Sequence, residues 1–320
     1  MRRRPASRYS SIAPRSSWPR LVGAPASSFG VFSDPRGRDV LSHPLFPILP
    51  AMSTPAQIIV LGAKGRMGRM VLEACVKIER EQPGTVDVLA GVDMQALVNE
   101  AINLGGLSIP YSRNLESVAR AGAVVIDFTS PEASLAALSV AESVGMPYVL
   151  CTTGFDAAQK ARIGAAAQKI PVLFSPNMSI GVNVLFKAVE AVAKALGDAY
   201  DVEIIEAHHN QKKDAPSGTA LGLAEAVARG LSVNLADHAV YGREGMTGAR
   251  PRGEIGIHAV RGGDIAGDHT VLFAGDGERV EIRHVAHGRQ VFAQGALRAA
   301  LFLKGRKPGL YTMADVLGLL

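Results

Sequence analysis

The sequence predicts an α/β protein in which a parallel-sheet domain is followed by an α+β domain with a mostly β, open sheet. Three observations predict this class. Short apolar strands alternate with helices between residues 57 and 175, the pattern of βαβ units. A glycine-rich turn joins the first strand to the first helix. After residue 177 the strands follow one another closely, so a second architecture begins there.

The first domain is predicted from short apolar runs bounded by glycine or proline. Strands are expected at 57–62, 86–93, 123–129, 148–153 and 171–175, because buried parallel strands are continuously apolar. Helices are expected at 66–80 and 156–169, and another begins near Pro131, since proline suits the first helical turn.

The second domain is predicted to open with an amphipathic helix over 180–196. A strand at 201–209, a helix at 219–229 and a glycine-rich, charged loop at 241–254 follow. Strands are then expected at 255–260, 269–274 and 278–285, before helices at 289–303 and near 312–319.

The net charge of +5 comes from the first 51 residues, which carry eight arginines and two aspartates. The remainder has 26 basic and 27 acidic residues, which argues against a nucleic-acid partner because phosphate binding needs a basic face. The Arg-, Ser- and Pro-rich segment is either a transit peptide or an extension upstream of a start at Met52. We favour the extension and expect residues 1–51 to be disordered.

Composition also limits the location and the cofactors. No apolar run is long enough to span a membrane, so no membrane partner is expected. Cys75 and Cys151 lie in apolar segments and indicate buried thiols of a reducing compartment, so we expect a cytoplasmic protein. No metal site is predicted, because the spacing of the later histidines does not resemble a ligand set.

The turn GAKGRMG, residues 62–68, indicates dinucleotide binding. Ala63, Gly65 and Gly68 occupy the three glycine slots of G-x-G-x-x-G, so the first glycine is replaced. Such a turn lets backbone N–H groups approach a pyrophosphate at the helix N-terminus. Asp93, at the end of the second strand, is placed to accept hydrogen bonds from a ribose. The alternative is a plain strand-to-helix turn.

The residues of this turn give opposing indications about which of the two nicotinamide cofactors is bound. Asp93 favours NADH because a carboxylate repels a 2′-phosphate. Lys64 and Arg66 are cations that can neutralise that phosphate. The hypothesis is therefore that both NADH and NADPH are used.

The stretch EAHHNQKKDAPSGTAL, residues 206–221, indicates an anion site beside a proton donor. The amides of Ser217, Gly218 and Thr219 lie at a predicted helix N-terminus, which binds anions. Lys212 adds a point charge for a carboxylate, and His208 can donate a proton near neutral pH. This set suits a small carboxylate substrate that gains a proton. The alternative is an ordinary helix capped by Ser217, with solvated lysines.

Residues 203–220, EIIEAHHNQKKDAPSGTA, closely resemble the motif of the 4-hydroxy-tetrahydrodipicolinate reductase (dihydrodipicolinate reductase) family. The resemblance covers residues 57–320. Further family motifs stand in order as GAKGRMG (62–68), DFTSPE (127–132), TTGF (152–155), SPNMSIGVNV (175–184), GDIAGDH (263–269) and GLYTMADVL (309–317).

The resemblance implies a Rossmann-type nucleotide domain made of residues 52–178 and 289–320. Residues 179–288 would form the substrate-binding and oligomerisation domain of a homotetramer. The implied reaction is NAD(P)H-dependent reduction of 4-hydroxy-tetrahydrodipicolinate to tetrahydrodipicolinate with loss of water, in lysine and diaminopimelate biosynthesis.

The resemblance also implies roles for individual residues. His208 would be the general acid, and Lys212 would grip or polarise the substrate. The substrate carboxylates would contact His209, Ser217, Gly218 and Thr219. The cofactor would contact Gly62, Ala63, Lys64, Gly65, Arg66, Met67, Asp93, Cys151, Thr152, Thr153, Ser175, Pro176, Asn177 and Met178.

Two positions depart from the family pattern. Cys151 stands where many members have glycine, and its side chain would crowd the nicotinamide side. Met94 stands where some members have arginine, which leaves NADPH binding to Lys64 and Arg66. Two other functions stay open: a related amino-acid dehydrogenase of the aspartate or homoserine type, and a non-catalytic NAD(P)-sensing module. A proton donor, a cation and helix N-terminal amides that together face the cofactor would distinguish the reductase from both of these alternatives.

Overall fold

The computed structural model describes residues 54–319. The predicted disorder of residues 1–51 concerns a segment outside these residues. Within them the strands are β1 (Ala56–Leu61), β2 (Val86–Val92), β3 (Ala101–Leu104), β4 (Leu107–Ser112), β5 (Val124–Asp127), β6 (Tyr148–Leu150), β7 (Pro171–Phe174), β8 (Asp201–His208), β9 (Ala239–Tyr241), β10 (Ile255–Arg261), β11 (Asp268–Ala274), β12 (Arg279–Val285) and β13 (Gly309–Tyr311). The helices are α1 (Arg66–Glu81), α2 (Pro131–Val144), α3 (Ala157–Ala167), α4 (Ile180–Leu196), α5 (Gly218–Leu231), α6 (Leu235–His238), α7 (Gln290–Leu303) and α8 (Met313–Leu317).

The first sheet has eight strands in the order β13-β7-β6-β5-β1-β2-β4-β3. Every neighbouring pair is parallel except β3 and β4. The chain builds outwards from β1 to β2 and then returns to place β5 on the other side of β1. In open α/β sheets ligands bind beyond the carboxyl ends of the strands at such a reversal. The fold therefore directs a ligand to the loops after β1 and β5.

The second sheet has five strands in the order β12-β11-β8-β10-β9, with β8, β10 and β9 mutually parallel and β11 antiparallel to both of its neighbours. Along β8 the even-numbered residues are buried and the odd-numbered ones are more exposed, the period of a strand covered on one face. Helices α4 and α5 supply that cover, and the core between them and the sheet includes Leu185, Val189, Ile204, Leu223, Val227, Val271 and Phe273.

The C-terminal segments return to the first sheet. Helix α7 packs against α1 and against β5 and β6, and β13 pairs with β7 at the sheet edge. The loops that follow β6 and β7 in the first sheet and β8 in the second carry ten of the twenty residues predicted to bind ligands.

The predicted helices and strands are all present, with ends that differ by a few residues. Strand β6 ends at Leu150, so Cys151, Thr152 and Thr153 lie in a loop rather than in the strand. The β3–β4 hairpin, α6, β9 and β13 were not predicted. The hairpin has a signal in Gly105-Gly106, whose positive φ angles of 60° and 89° form its two-residue turn. The others are only three or four residues long and carry no period of their own.

No helix within residues 54–319 combines the length and the apolar character needed to cross a membrane. In the same residues, no group of three His, Cys, Asp or Glu side chains is placed to hold a metal ion.

Candidate active site

A cleft of about 560 Å³ lies where the loops of the two sheets meet. From the second sheet it receives the residues predicted to contact the substrate, which are His208, His209, Lys212, Ser217, Gly218 and Thr219. From the first sheet it receives six of the residues predicted to contact the cofactor, which are Cys151, Thr153, Ser175, Pro176, Asn177 and Met178. All of the predicted substrate residues and six of the fourteen predicted cofactor residues, far apart in sequence, therefore share one cavity.

His208 is the last residue of β8, and its ring is nearly buried at the cleft wall. Its Nδ1 lies 2.5 Å from Oε2 of Glu206, two residues earlier on the same face of the strand. Glu206 is fully buried, and both of its oxygens accept from the Arg261 guanidinium at 2.8 Å. Because Nδ1 is engaged, Nε2 is the ring nitrogen free to serve a ligand in the cleft.

The titration of this group follows from its surroundings. Burial lowers the pKa of His208 below its ordinary value, although the Glu206 carboxylate acts in the opposite sense. Burial raises the pKa of Glu206, but hydrogen bonds from Arg261, His208 and the Ser217 N–H outweigh it and leave that pKa below its ordinary value. The resting pair is therefore a carboxylate beside a neutral imidazole at neutral pH.

Helix α5 presents its N-terminus to the cleft. Ser217 is the N-cap, and its hydroxyl accepts from the Ala220 N–H at 3.1 Å. Nothing lies within 4 Å of the position that a Gly218 side chain would take, so the backbone there is open. First-turn N–H groups have no acceptor within their own helix, and together they favour an anion. Ser217 therefore caps the helix, as the capped-helix interpretation of the sequence requires, and the same turn also has the open N–H groups that an anion site requires.

Lys212 lines the cleft from the loop between β8 and α5. Its Nζ pairs with Asp214 Oδ1 at 2.9 Å, and its side chain is about four-fifths buried. An ion pair of this kind holds the ammonium near α5 and its N-terminus, where a carboxylate ligand would replace Asp214 as its partner. His209 lies beside it, with its backbone N–H donating to Ile265 O at 2.8 Å.

One hydrogen bond ties the two halves of the cleft together. Asn177, from the loop after β7, donates through Nδ2 to Thr219 Oγ1 on α5 at 2.9 Å. The backbone N–H of Ser179 in turn donates to Asn177 Oδ1 at 2.8 Å. The loop predicted to contact the cofactor and the helix predicted to contact the substrate are therefore positioned relative to each other by an amide side chain.

The glycine-rich turn lies at the carboxyl end of β1, at the reversal point of the sheet. Gly62 has a φ of +66°, and a Cβ on Gly68 would lie 2.2 Å from the Gly62 carbonyl oxygen. Both positions therefore require glycine, and the close approach of α1 to the turn depends on them. The Asp93 carboxylate accepts from the N–H groups of Lys64 and Gln95 at 3.1 and 3.0 Å.

A second cavity of about 450 Å³ opens beside this turn. Gly62 and Asp93 line it, together with Met94, Arg113 and Thr129. A carboxylate with free lone pairs at the end of β2 fits a ribose, and the apolar remainder fits an adenine ring. The residues present therefore fit the adenosine half of a dinucleotide.

The other predicted cofactor residues lie close to these two cavities without lining either of them in the described part of the chain. Ala63 is buried beneath the turn, while Gly65 and Arg66 are exposed and Met67 is half-buried. Thr152 is buried, and its hydroxyl accepts from Thr129 N–H and from Ser134 Oγ. Their contacts to a cofactor stay predictions.

Two protein-family models match the sequence of this chain. "Dihydrodipicolinate reductase, N-terminus" matches residues 56–178, and "Dihydrodipicolinate reductase, C-terminus" matches residues 181–317. The chain belongs to the dihydrodipicolinate reductase family. It is therefore an oxidoreductase, and the resemblance seen in the sequence is confirmed.

Relatives that match this chain over nearly their whole length support this assignment. The chain is 50% identical over 270 residues to the 4-hydroxy-tetrahydrodipicolinate reductase of Thiobacillus denitrificans, covering 82% of this chain and 98% of that protein. It is 49% identical over 276 residues to the enzyme of the same name from Aromatoleum aromaticum, covering 84% and 98%. A solved structure, the dipicolinate-bound dihydrodipicolinate reductase of Paenisporosarcina sp. TG-14, has a TM-score of 0.63 at 25% identity and covers 82% of this chain and 99% of that one. The predicted fold class is confirmed.

Several residues of this dihydrodipicolinate reductase site could not be found from local sequence. Glu206 stands inside the recognised motif, yet its partner Arg261 lies 55 residues later. Arg289 and Phe292 reach the cleft from the start of α7, and Arg113 reaches the adenosine cavity from the loop after β4. No local motif marks these positions, because they meet the site only through the sheet topology.

Cys151, the departure from the family pattern, lines the cleft with its thiol nearly buried. Burial raises the pKa of this thiol well above its ordinary value, and the nearby Asp127 carboxylate adds to the effect. The side chain is therefore a neutral packing group on the wall of the cleft and not a nucleophile.

Proposed function

We propose that this chain reduces 4-hydroxy-tetrahydrodipicolinate to tetrahydrodipicolinate with loss of water, using NAD(P)H, in lysine and diaminopimelate biosynthesis. Residues 52–178 with 289–320 would bind the nucleotide, and residues 179–288 the substrate. The observation that carries the proposal is the single cleft in which His208, Lys212 and the α5 N-terminus face the loops after β6 and β7. The names of the relatives and the dipicolinate of the solved neighbour agree with a small dicarboxylate substrate.

In this proposal the chain's own groups orient the substrate and move one proton. Bound NAD(P)H supplies the hydride from nicotinamide C4 to the ring carbon from which water departs. Lys212 and the N–H groups of residues 217–219 hold the carboxylates, with His209 beside them, so the ring is fixed between the two halves of the cleft. His208 delivers the proton from Nε2 as the electrons move.

The direct test replaces His208 with glutamine in the full-length chain. Turnover is followed by the loss of reduced-nicotinamide absorbance, with substrate made in situ by a coupled synthase. Because a positioned general acid contributes about a hundredfold or more, kcat should fall by roughly that factor while NADH affinity changes less than about twofold. His238→Gln is the matched control, since His238 hydrogen-bonds Gly253 O away from the cleft. A fall in kcat below about threefold removes His208 from the mechanism, and tight NADH binding without any wild-type turnover favours a sensing module.

We also propose that both NADH and NADPH are used. Asp93 is placed for a ribose hydroxyl, while Lys64 and Arg66 supply positive charge at the same turn. Lys64 Nζ is held by Glu100 Oε2 at 2.7 Å and by Gln95 O at 2.9 Å, so a 2′-phosphate competes with Glu100 for it. The hydrogen bond from Lys64 holds the pKa of Glu100 below its ordinary value.

The cofactor proposal is tested by dissociation constants as well as by turnover. Fluorescence titration with NADH and NADPH should give wild-type affinities within about a thousandfold of each other, and kcat/KM should follow them. Glu100→Gln should improve NADPH affinity about tenfold and leave NADH unchanged, because it frees Lys64. Glu116→Gln is the control, because Glu116 lines the cavity beside Asp93 and has no lysine partner among the described residues.

We propose a homotetramer assembled through the uncovered face of the second sheet, in the cytoplasm. That face exposes Ile205, Val260 and Val285, which the strand register places on one side of three strands. Exposed apolar side chains on a sheet face indicate a protein interface. Sedimentation equilibrium of the full-length chain measures the assembly, and a monomer at micromolar concentration contradicts it. Cys75 and Cys151 are free thiols, which agrees with a reducing compartment.

A further inference from the structure

Glu206 is a charged group that the reaction does not use directly and yet lies in its centre. It is fully buried behind the cleft wall, and it is not among the residues that line the cavity. Its carboxylate is shared between His208 Nδ1 at 2.5 Å, the Arg261 guanidinium at 2.8 Å and the Ser217 N–H at 2.9 Å. Burying a charge is unfavourable unless its lone pairs are satisfied. The complete set of hydrogen-bond partners around Glu206 therefore indicates a specific role.

We propose that Glu206 is the positioning residue of His208 and holds the proton donor and the carboxylate-binding helix in one frame. Oε2 accepts from Nδ1–H, which fixes the tautomer and the ring orientation and leaves Nε2 to exchange the proton in the cleft. Oε1 accepts from the Ser217 N–H at the start of α5. A single carboxylate therefore sets the distance between the proton donor and the anion site. This inference rests on the proposed reduction.

The charges around His208 give Glu206 a second consequence. Arg261 on β10, Lys212 in the loop after β8 and His269 on β11 all lie close to the ring, and the ring itself is nearly buried. These neighbours and the burial disfavour the imidazolium, and Glu206 is the one group of this set that favours it. When a dicarboxylate binds in the cleft, its two negative charges move the balance towards the imidazolium.

The proton balance follows from this arrangement. Neutral His208 carries its proton on Nδ1, so Nε2 takes up one proton from solvent when the dicarboxylate binds. The Nε2–H bond breaks when that proton passes to the substrate, and His208 returns to its neutral Nδ1–H form. Binding of a substrate-like dicarboxylate should therefore be linked to uptake of one proton, and the linkage should depend on Glu206.

The test compares Glu206→Gln with Glu203→Gln in the full-length chain. Glu203 lies on the same strand and also pairs with arginine and histidine, but none of its partners lines the cleft, whereas His208 and Ser217, partners of Glu206, do. Glu206→Gln should lower kcat about a hundredfold and leave the NADH dissociation constant within about twofold. Because the carboxylate favours the imidazolium, the fall of kcat at high pH should move about one unit lower. Glu203→Gln should change neither quantity.

A purely structural role predicts a different result. In that case Glu206→Gln lowers stability and kcat while the pH profile keeps its wild-type position, and this outcome overturns the proposal. Glu206→Asp, which retains the charge, should keep the pH profile and recover part of kcat. Equal kcat in the folded Glu206→Gln variant and the wild type also overturns it.

A second measurement needs no variant. Calorimetry of dipicolinate binding to the wild-type chain, in two buffers of different protonation enthalpy, should show uptake of about one proton near pH 7.5. Absence of uptake overturns the proposal even if Glu206→Gln does not fold. Absence of wild-type turnover with uptake intact would instead overturn the proposed reaction and leave the positioning role standing.

Discussion

Strand β8 carries two glutamates, Glu203 and Glu206, three residues apart and therefore on opposite faces of the second sheet. Each holds arginine and histidine side chains. Glu203 binds both terminal nitrogens of Arg243 at 3.0 and 2.9 Å and His258 Nε2 at 2.6 Å. Glu206 binds Arg261 and His208 at similar distances. The chemistry is nearly the same, and only one of the two clusters is part of the cleft.

The difference between the two clusters lies in what covers them. Glu203 lies on the open face, and a second arginine, Arg250, also donates to it at 2.8 Å. Burial raises the pKa of Glu203, but the bonds from Arg243, Arg250 and His258 outweigh it and lower the pKa to about 2. Glu206 lies under the N-terminus of α5 and has one arginine. The same residue types therefore form a surface ion-pair network on one face of the sheet and part of the candidate active site on the other. Only their position on the strand differs.

The largest contrast is expected when one arginine is removed from each cluster. Arg261→Met leaves Glu206 charged and buried with no cation of its own, so the free energy of unfolding should fall by about 3–5 kcal/mol. Arg243→Met leaves Glu203 with Arg250 and His258, so the fall should be below about 1 kcal/mol. Urea unfolding followed by circular dichroism measures both. Equal losses would show that burial does not distinguish the clusters.

The two faces should also lose stability in different pH windows. Burial, and next the charge of His208, lower the pKa of His269 to about 4. Between its unfolded value of 6.5 and about 4 the unfolded chain binds a proton that the folded chain does not, so stability should fall by about 3 kcal/mol as the pH drops through this window. Glu203, with its lowered pKa, loses its contribution only as the pH falls from 4.5 towards 2.

Unfolding free energies measured at intervals between pH 7 and 4 check this prediction. His269→Gln should flatten the slope in that window, although His208 and His284, whose pKa values burial also lowers, should leave part of it. A slope unchanged in His269→Gln would show that the buried imidazole titrates normally.

The comparison also shows how far the sequence alone could reach. His208, Lys212 and Ser217 could be predicted because they stand within one short stretch whose residue types suit an anion and a proton. Arg261, which pairs with Glu206, and His269, whose ring packs edge-on against His208, could not be assigned a role. Arg261 lies directly opposite His208 on β10, and His269 lies directly opposite Glu206 on β11. That pairing is fixed by the register of three strands, and single-sequence patterns do not give register.

The same limit holds in the nucleotide-binding half of the fold. The glycine turn and Asp93 could be predicted because strand, turn and helix are consecutive in the chain. Arg113 and Arg289 could not, because β4 is a short strand beside β2 and α7 returns from the far end of the chain. Alternating strands and helices give the class of a sheet, and the order of its strands decides which loops meet.

The smallest expected contrast uses one glycine beside each cluster. A Cβ on Gly267 would lie 3.1 Å from His208 Nε2, and a Cβ on Gly256 would lie 1.8 Å from Glu203 Oε2. Gly267 has a φ of +153°, where a side chain is strained, so Gly267→Ala should displace the His208 ring by a fraction of an ångström.

Gly267→Ala should therefore lower kcat about tenfold while leaving NADH affinity within about twofold, because misplacing a reacting group has a steep effect on rate. Gly256→Ala should move the Glu203 carboxylate away from its cations, reduce stability by about 1 kcal/mol and leave kcat within about twofold. Steady-state kinetics and urea unfolding of the two variants give all four values. A loss of rate in Gly256→Ala equal to that in Gly267→Ala would mean that the open face is coupled to the cleft through β8, and the division of the strand into a structural face and a catalytic face would be wrong.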